Sequence, residues 1–293
     1  MRMQITKARL FSAAMLVAGL ATLGVVPAAS AHTGEWAKFN NCPSTTEGVK
    51  KCLQAVVTSG KVVLGSKEVP VVNPVTLQGG LSAPVSGVRT MYAATNGETL
   101  TKTPQPVPGG LAGLVNCKEI ENWLVRIGCE ATFENGFTGL NATLELAKPA
   151  NEVRVNELNL ESGSGVAMEM PVKVHLENPL LGSACYIGSS SAPLMWNLTT
   201  GTTSPPAGTA PITGSPGLGE FKEEGTLLSI TGATLVENNW SAPTANGCGG
   251  AIVELILDPI VNASVGLPSA AGHNVASLTN NIVLATVAAV NLH

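Results

Sequence analysis

Twelve consecutive residues, 166–177, alternate without a break between two kinds of side chain. Val166, Met168, Met170, Val172, Val174 and Leu176 share one side, and Ala167, Glu169, Pro171, Lys173, His175 and Glu177 share the other. Side chains on a strand repeat every two residues, so this pattern specifies a half-buried β-strand; a helix would scatter the same apolar groups around its axis. Pro171 has no N–H to give to a ladder and predicts an edge position or a bulge. Leu140, Ala142, Leu144 and Leu146 alternate in the same way with Asn141, Thr143 and Glu145. In 152–160, Val153 and Val155 point inward before the register shifts to Leu158 and Leu160, which predicts a strand with a bulge near Asn156.

Further strands are expected at 62–64, 69–72, 88–94, 194–198, 226–236, 252–257, 260–265 and 282–290, punctuated by turns such as Asn96-Gly97 and Asn246-Gly247. Ten or more short strands at this spacing imply a mainly β fold, an antiparallel β-sandwich or barrel. The Thr/Ser/Pro/Gly-rich stretch 200–219 reads as an exposed, mobile loop. One segment departs from the pattern. Between Cys117 and Glu134, Ile120, Trp123, Leu124 and Ile127 recur at helical spacing behind a Pro/Gly hinge at 104–113. A short amphipathic helix inserted at about 110–135 is expected, as a packed connection over one end of the sheet or, functionally, a lid or membrane-touching element.

Residues 1–31 have the form of a secretory signal: Arg2, Lys7 and Arg9, then the apolar run 10–26, then Ala29-Ser30-Ala31 before a cleavage site. The exported part is then one β domain, 32–293, with no second anchor, because the apolar run 282–290 is only nine residues long. All six cysteines, Cys42, Cys52, Cys117, Cys129, Cys185 and Cys248, fall within it. An even count in an exported chain points to disulfides, and the short separations favour 42–52 and 117–129, leaving 185–248.

Charged residues make up 12% of the 293-residue chain, against about 25% in ordinary domains. With a net charge of −4 and no basic stripe, the chain is not expected to bind nucleic acid, and its hydrophobicity excludes a disordered acidic chain. Asp258 is the one aspartate, which removes Asp-rich calcium loops and Asp pairs as acid–base catalysts. There is no G-x-S-x-G elbow, P-loop, dinucleotide fingerprint or H-E-x-x-H. Glu169 and Glu177 lie on one strand face about 27 Å apart, too far for a glycosidase pair. No cofactor is expected.

One metal hypothesis stands. Cleavage after Ala31 would leave His32 first, and an N-terminal His can hold copper through its amine and imidazole with His175 or His273 as the second ligand. In form this resembles the histidine brace of secreted copper oxygenases. The bland reading is that these imidazoles are solvated. Trp36, Trp123, Trp196 and Trp240 are read as core plugs rather than ligand platforms, and the N-x-S/T triplets at Asn141, Asn197, Asn239 and Asn262 as chance.

The segments Ala184-Cys-Tyr-Ile-Gly188, Trp196-Asn-Leu-Thr-Thr-Gly201, Trp240 to Gly249, Gly266 to Gly272 and Tyr92 to Leu100 are together similar to a group of uncharacterised secreted actinobacterial proteins. The resemblance implies export and a β-rich fold, and no activity. The expected role is therefore a non-enzymatic binding or structural protein of the cell envelope or extracellular space, with an envelope lipid, glycan or protein as partner and self-association open. The alternatives are a membrane-active or pore-forming β-protein and the copper protein.

Overall fold

The computed structural model describes residues 31–111, 121–123, 126–127 and 139–293, with the backbone alone at 251–253. Fourteen strands lie among these residues, and every pairing between them is antiparallel. The first sheet is built on β1 (Lys51–Leu64). On one side β14 (Val275–Thr286) runs along nearly its whole length, from Lys51 opposite Thr286 to Val63 opposite Val275. On the other side β3 (Val75–Leu81) takes residues 51–57 and β2 (Lys67–Pro70) takes 61–64. Next to β14 come β12 (Leu227–Glu237) and then β11 (Leu218–Lys222) at the edge. The register of β1 slips between Val57 and Ser59, and Gly60 follows with φ 131°. A Cβ there would meet the carbonyl of Ser277, so the bulge requires glycine.

The second sheet is organised by β8 (Met168–Glu177), the strand foreseen from alternation. On one flank β6 (Asn141–Leu146) pairs its residues 172–177 and β7 (Arg154–Val155) its residues 168–169. On the other flank β9 (Tyr186–Ile187) pairs 174–175 and β10 (Leu194–Leu198) pairs 168–172. The chain thus leaves and rejoins β8 on both sides, and β8 is an interior strand rather than an edge. Pro171 sits where one flank changes from β7 to β6, and its carbonyl accepts the Ala147 N–H at 2.9 Å. Met168, Met170, Val172, Val174 and Leu176 are buried as the pattern requires, while Val166 lies before the strand and is exposed. The sheet is completed by β5 (Gln105–Pro106) on β6 and β13 (Ala245–Asn246) on β9.

The two sheets are joined through β4 (Arg89–Tyr92), which pairs with β3 through Tyr92 and Met91 and with β7 through Arg89 and Thr90. On the far side a single bridge, Thr199 to Val236, links the end of β10 to β12 through hydrogen bonds of 3.0 and 2.8 Å. The sheet does not close, and the architecture is sandwich-like. Leu53, Met91, Val172, Leu194, Trp196, Ile230, Ile282 and Leu284 belong to one core cluster. A second cluster, with Trp36, Phe39, Val49, Val283, Ala285 and Val290, covers the outer face of the first sheet. The apolar run 282–290 is therefore the end of a strand buried on both faces, followed by a helical turn, Val287–Val290, that packs back onto it.

Several elements differ from the sequence reading. Residues 252–257 and 260–265 form one helix, Gly250–Val265, not two strands. Their β-branched content mimics a strand, yet Pro259 is tolerated because the carbonyl it orphans belongs to Leu255, which is 87% exposed and can bond to water. Asn156 is not a bulge: its side chain accepts the Asn159 N–H at 3.1 Å and caps the short helix Glu157–Ser162. The stretch 200–219 is largely exposed as expected, and Thr202–Thr213 and Ser215–Thr234 pairing ties it to itself and to β12, with Thr200 and Thr203 buried. The expected helical insertion and the Cys117–Cys129 pair lie largely or wholly outside the described residues. Disulfides Cys42–Cys52 and Cys185–Cys248 are formed as expected. They fit an oxidising compartment, and among the described residues no helix is long and apolar enough to cross a membrane.

Candidate functional site

Where the sheets face each other, the core is not completely filled. Val57, Val62 and Leu64 of β1, Val69 of β2, Val75 of β3, Ala142 and Leu144 of β6, Val174 of β8, Trp196 of β10 and Leu278 of β14 line a partly open pocket of about 90 Å³, with Val57, Val62, Val69, Ala142 and Leu144 only half-buried. A second space of about 40 Å³ shares Val57, Val75, Leu144, Trp196 and Leu278 with it. The cause is legible in the residue types. Facing positions carry Val and Ala, and in a chain with few aromatics only Trp196 brings a large side chain to this wall. Native interiors rarely leave such space without a reason, because each unfilled volume forfeits packing.

The cavity is apolar in effect as well as in composition. Its polar neighbour Gln105 is saturated: Oε1 accepts the N–H groups of Val72 and Asn73 at 2.9 and 3.0 Å. Its Nε2 donates to the carbonyls of Asn73 and Thr103 at 2.8 and 3.2 Å. Thr103, also in the wall, donates to Thr101 Oγ1 at 3.2 Å, and Trp196 Nε1 is the buried polar atom of this wall that has no hydrogen-bond partner among the described residues. Trp196 and Trp240 meet edge to face with ring centroids 5.9 Å apart, which holds the indole wall in place.

The outer face of the second sheet carries a polar cluster around a sequence-predicted residue. The His175 ring stacks on Tyr186 at 4.4 Å, and Lys173 Nζ stands 3.9 Å from the centre of the same ring. His175 Nδ1 lies 3.3 Å from Glu177 and 3.9 Å from Glu145, and Glu145 also meets Lys173 at 3.3 Å and Lys102 at 3.6 Å. Burial pushes the Tyr186 hydroxyl above its usual range, and the carboxylates of Glu145 and Glu177 add to the shift. His175 is thus engaged by carboxylates and a ring.

The other members of the copper hypothesis sit elsewhere in the chain's pairing scheme. The backbone N–H of His32 donates to Asn40 Oδ1 at 2.7 Å, and His273 is exposed on the turn before β14. Among the described residues no group of three or more His, Cys, Asp or Glu side chains is placed to hold a metal ion. Trp36, Trp196 and Trp240 are buried, in keeping with the core-plug reading, whereas Trp123 is 62% exposed.

Sequence reasoning placed Ala142, Leu144 and Val174 on inward strand faces but had no means to see the cavity, which exists only where two sheets bring short side chains together. Comparison with protein-family models, curated proteins and solved structures finds no match to this chain.

Proposed function

We propose that the protein is an exported, non-enzymatic binding protein of the cell envelope or extracellular space that holds a hydrocarbon group between its two sheets. The pocket carries this reading, since it is walled mainly by aliphatic side chains and by an indole, with the side chains of Gln105 and Thr103 already bonded within the fold. The signal-like residues 1–31 and the two disulfides support export. At about 90 Å³ the space is smaller than the ~150 Å³ engineered void that takes up benzene, so it suits the end of an acyl chain rather than a whole lipid. Binding would gain about 0.8 kcal/mol for each methylene removed from water.

The test uses cis-parinaric acid, whose polyene accepts excitation energy from tryptophan. Saturable energy transfer is expected, displaced by hexadecanoic acid. Ala142→Phe, which fills the space from β6, is expected to weaken binding at least tenfold without lowering the unfolding midpoint. Unchanged binding by that variant, or turnover of ester, peptide or glycan substrates by the purified protein, would overturn the proposal.

A further inference from the structure

Glu237 ends β12, and its residue is only 4% exposed. A buried carboxylate is ordinarily paired, because an isolated charge in a low-dielectric interior is costly. Among the described residues Glu237 has no cationic partner. Its contacts are backbone N–H groups instead, with Asn239 donating to Oε1 at 2.5 Å. Such donors favour the ionised form without cancelling its charge.

This carboxylate faces a second, polar pocket of about 230 Å³, distinct from the apolar cavity. Three hydroxyls in its wall are used by the fold. Thr199 donates to the Gly165 carbonyl at 2.6 Å and accepts the Gly201 N–H at 2.9 Å. Thr202 bonds Thr213 at 3.0 Å, and Thr203 accepts the Ile212 N–H at 3.0 Å. These bonds tie the stretch 200–219 to the rest of the fold on this wall of the pocket. The side chains of Asn197, Asn239 and Ser204 line the same space and make no hydrogen bond with the described residues. The pocket therefore combines a carboxylate lacking a counter-charge with two amides and a hydroxyl free to bond a ligand.

We propose that this pocket binds a small hydroxylated amine, with the ammonium on Glu237 and the hydroxyl groups on Asn197, Asn239 and Ser204. An ammonium brings three donors and the missing positive charge, and the amides can both donate to and accept from hydroxyls. A calcium ion is a poor fit, since it takes six to eight oxygen ligands and this site offers one carboxylate, two amide oxygens and one uncommitted hydroxyl. An anion would be repelled by Glu237.

The experiment titrates glucosamine, with glucose and calcium chloride as comparison probes, into the isotopically labelled protein while following the side-chain amide signals of Asn197 and Asn239. Glucosamine is expected to shift both signals saturably, glucose to bind at least tenfold more weakly, and calcium to leave them in place. Glu237→Gln keeps an acceptor for the Asn239 N–H and is expected to lower glucosamine affinity at least tenfold in a folded protein. Asn239→Ala, at an exposed side chain, gives a severalfold loss and serves as the deciding variant if the first fails to fold. Equal affinity for glucose, full affinity in the folded Glu237→Gln variant or in Asn239→Ala, or a response to calcium alone would overturn the proposal.

Discussion

Glu237 also gives stability an unusual pH dependence. Burial pushes its carboxyl above the ordinary 4.5, against the opposing pull of the backbone N–H groups of Asn239, Asn238 and Asn197. A raised acid holds its proton more tightly in the folded chain than in the unfolded one. Its contribution to stability is therefore unfavourable above the folded pKa and fades as pH falls toward 4.5. Glu237→Gln is accordingly expected to raise the thermal midpoint at pH 7, with the gain shrinking to nothing below about pH 4.5, the carboxyl's ordinary value. Circular-dichroism melts across pH check this; a gain independent of pH would show that titration is not its source. Asp258 is the structural counterpart. Its oxygens accept the N–H groups of Cys248 at 2.8 Å and Gly247 at 3.2 Å, so the one aspartate of the chain fixes the turn that carries a disulfide. Asp258→Ala leaves two donors unpaired and is expected to cost about 1–3 kcal/mol, read from urea unfolding.

At the scale of elements, the bulge in β1 has the sharpest requirement. Gly60→Ala forces a side chain into a left-handed conformation against the Ser277 carbonyl, and a loss of about 1–3 kcal/mol is expected, measured by chemical denaturation. Such elements also show what the sequence could and could not reveal. β8, β6 and β10 were legible because each buries one face, and alternation reports a one-faced strand directly. The helix Gly250–Val265 was not, because its Ile and Val residues favour strands locally and tertiary packing decides otherwise. The first half of β1 and β3 escaped notice for the opposite reason: β3 is buried almost throughout and carries Gly79 and Gly80, so alternation is lost. The two described disulfides were legible from spacing and elimination. The cavity was not, since inward-facing Val57, Val75 and Val174 come from three separate strands and their shortfall in volume matters only once they meet. Glu237 was equally silent, its neighbours Asn197, Thr202 and Ser204 being remote in the chain.

For the whole molecule, the two sheets are secured unequally. On one side β4 carries hydrogen bonding from β3 to β7; on the other, among the described residues, the Thr199–Val236 bridge joins β10 to β12, and the Ser215–Thr234 bridge and the Trp196–Trp240 contact lie beside it. The Cys185–Cys248 disulfide lies within the second sheet and its flank and does not cross that junction. Its cysteines are fully buried beside β9 and β13, and it closes a separation of 63 residues between the flank of β8 and the turn entering the helix Gly250–Val265. By loop-closure entropy a bond of that span contributes about 4 kcal/mol, more than the about 3 kcal/mol of the ten-residue Cys42–Cys52 separation. Replacing both Cys185 and Cys248 by Ala is therefore expected to lower stability by about 4 kcal/mol in urea titrations. The same change in Cys42 and Cys52 is expected to cost less. Because this loop-closure entropy belongs to the unfolded chain, amides that exchange through global unfolding lose the same protection in every element, so β1 and β14, paired along nearly their whole length, are expected to lose it together with β9 and β13 in hydrogen exchange. Loss of protection confined to β9, β13 and the helix Gly250–Val265 would instead mean that the disulfide holds this flank of the second sheet against local opening and does not act through the unfolded chain.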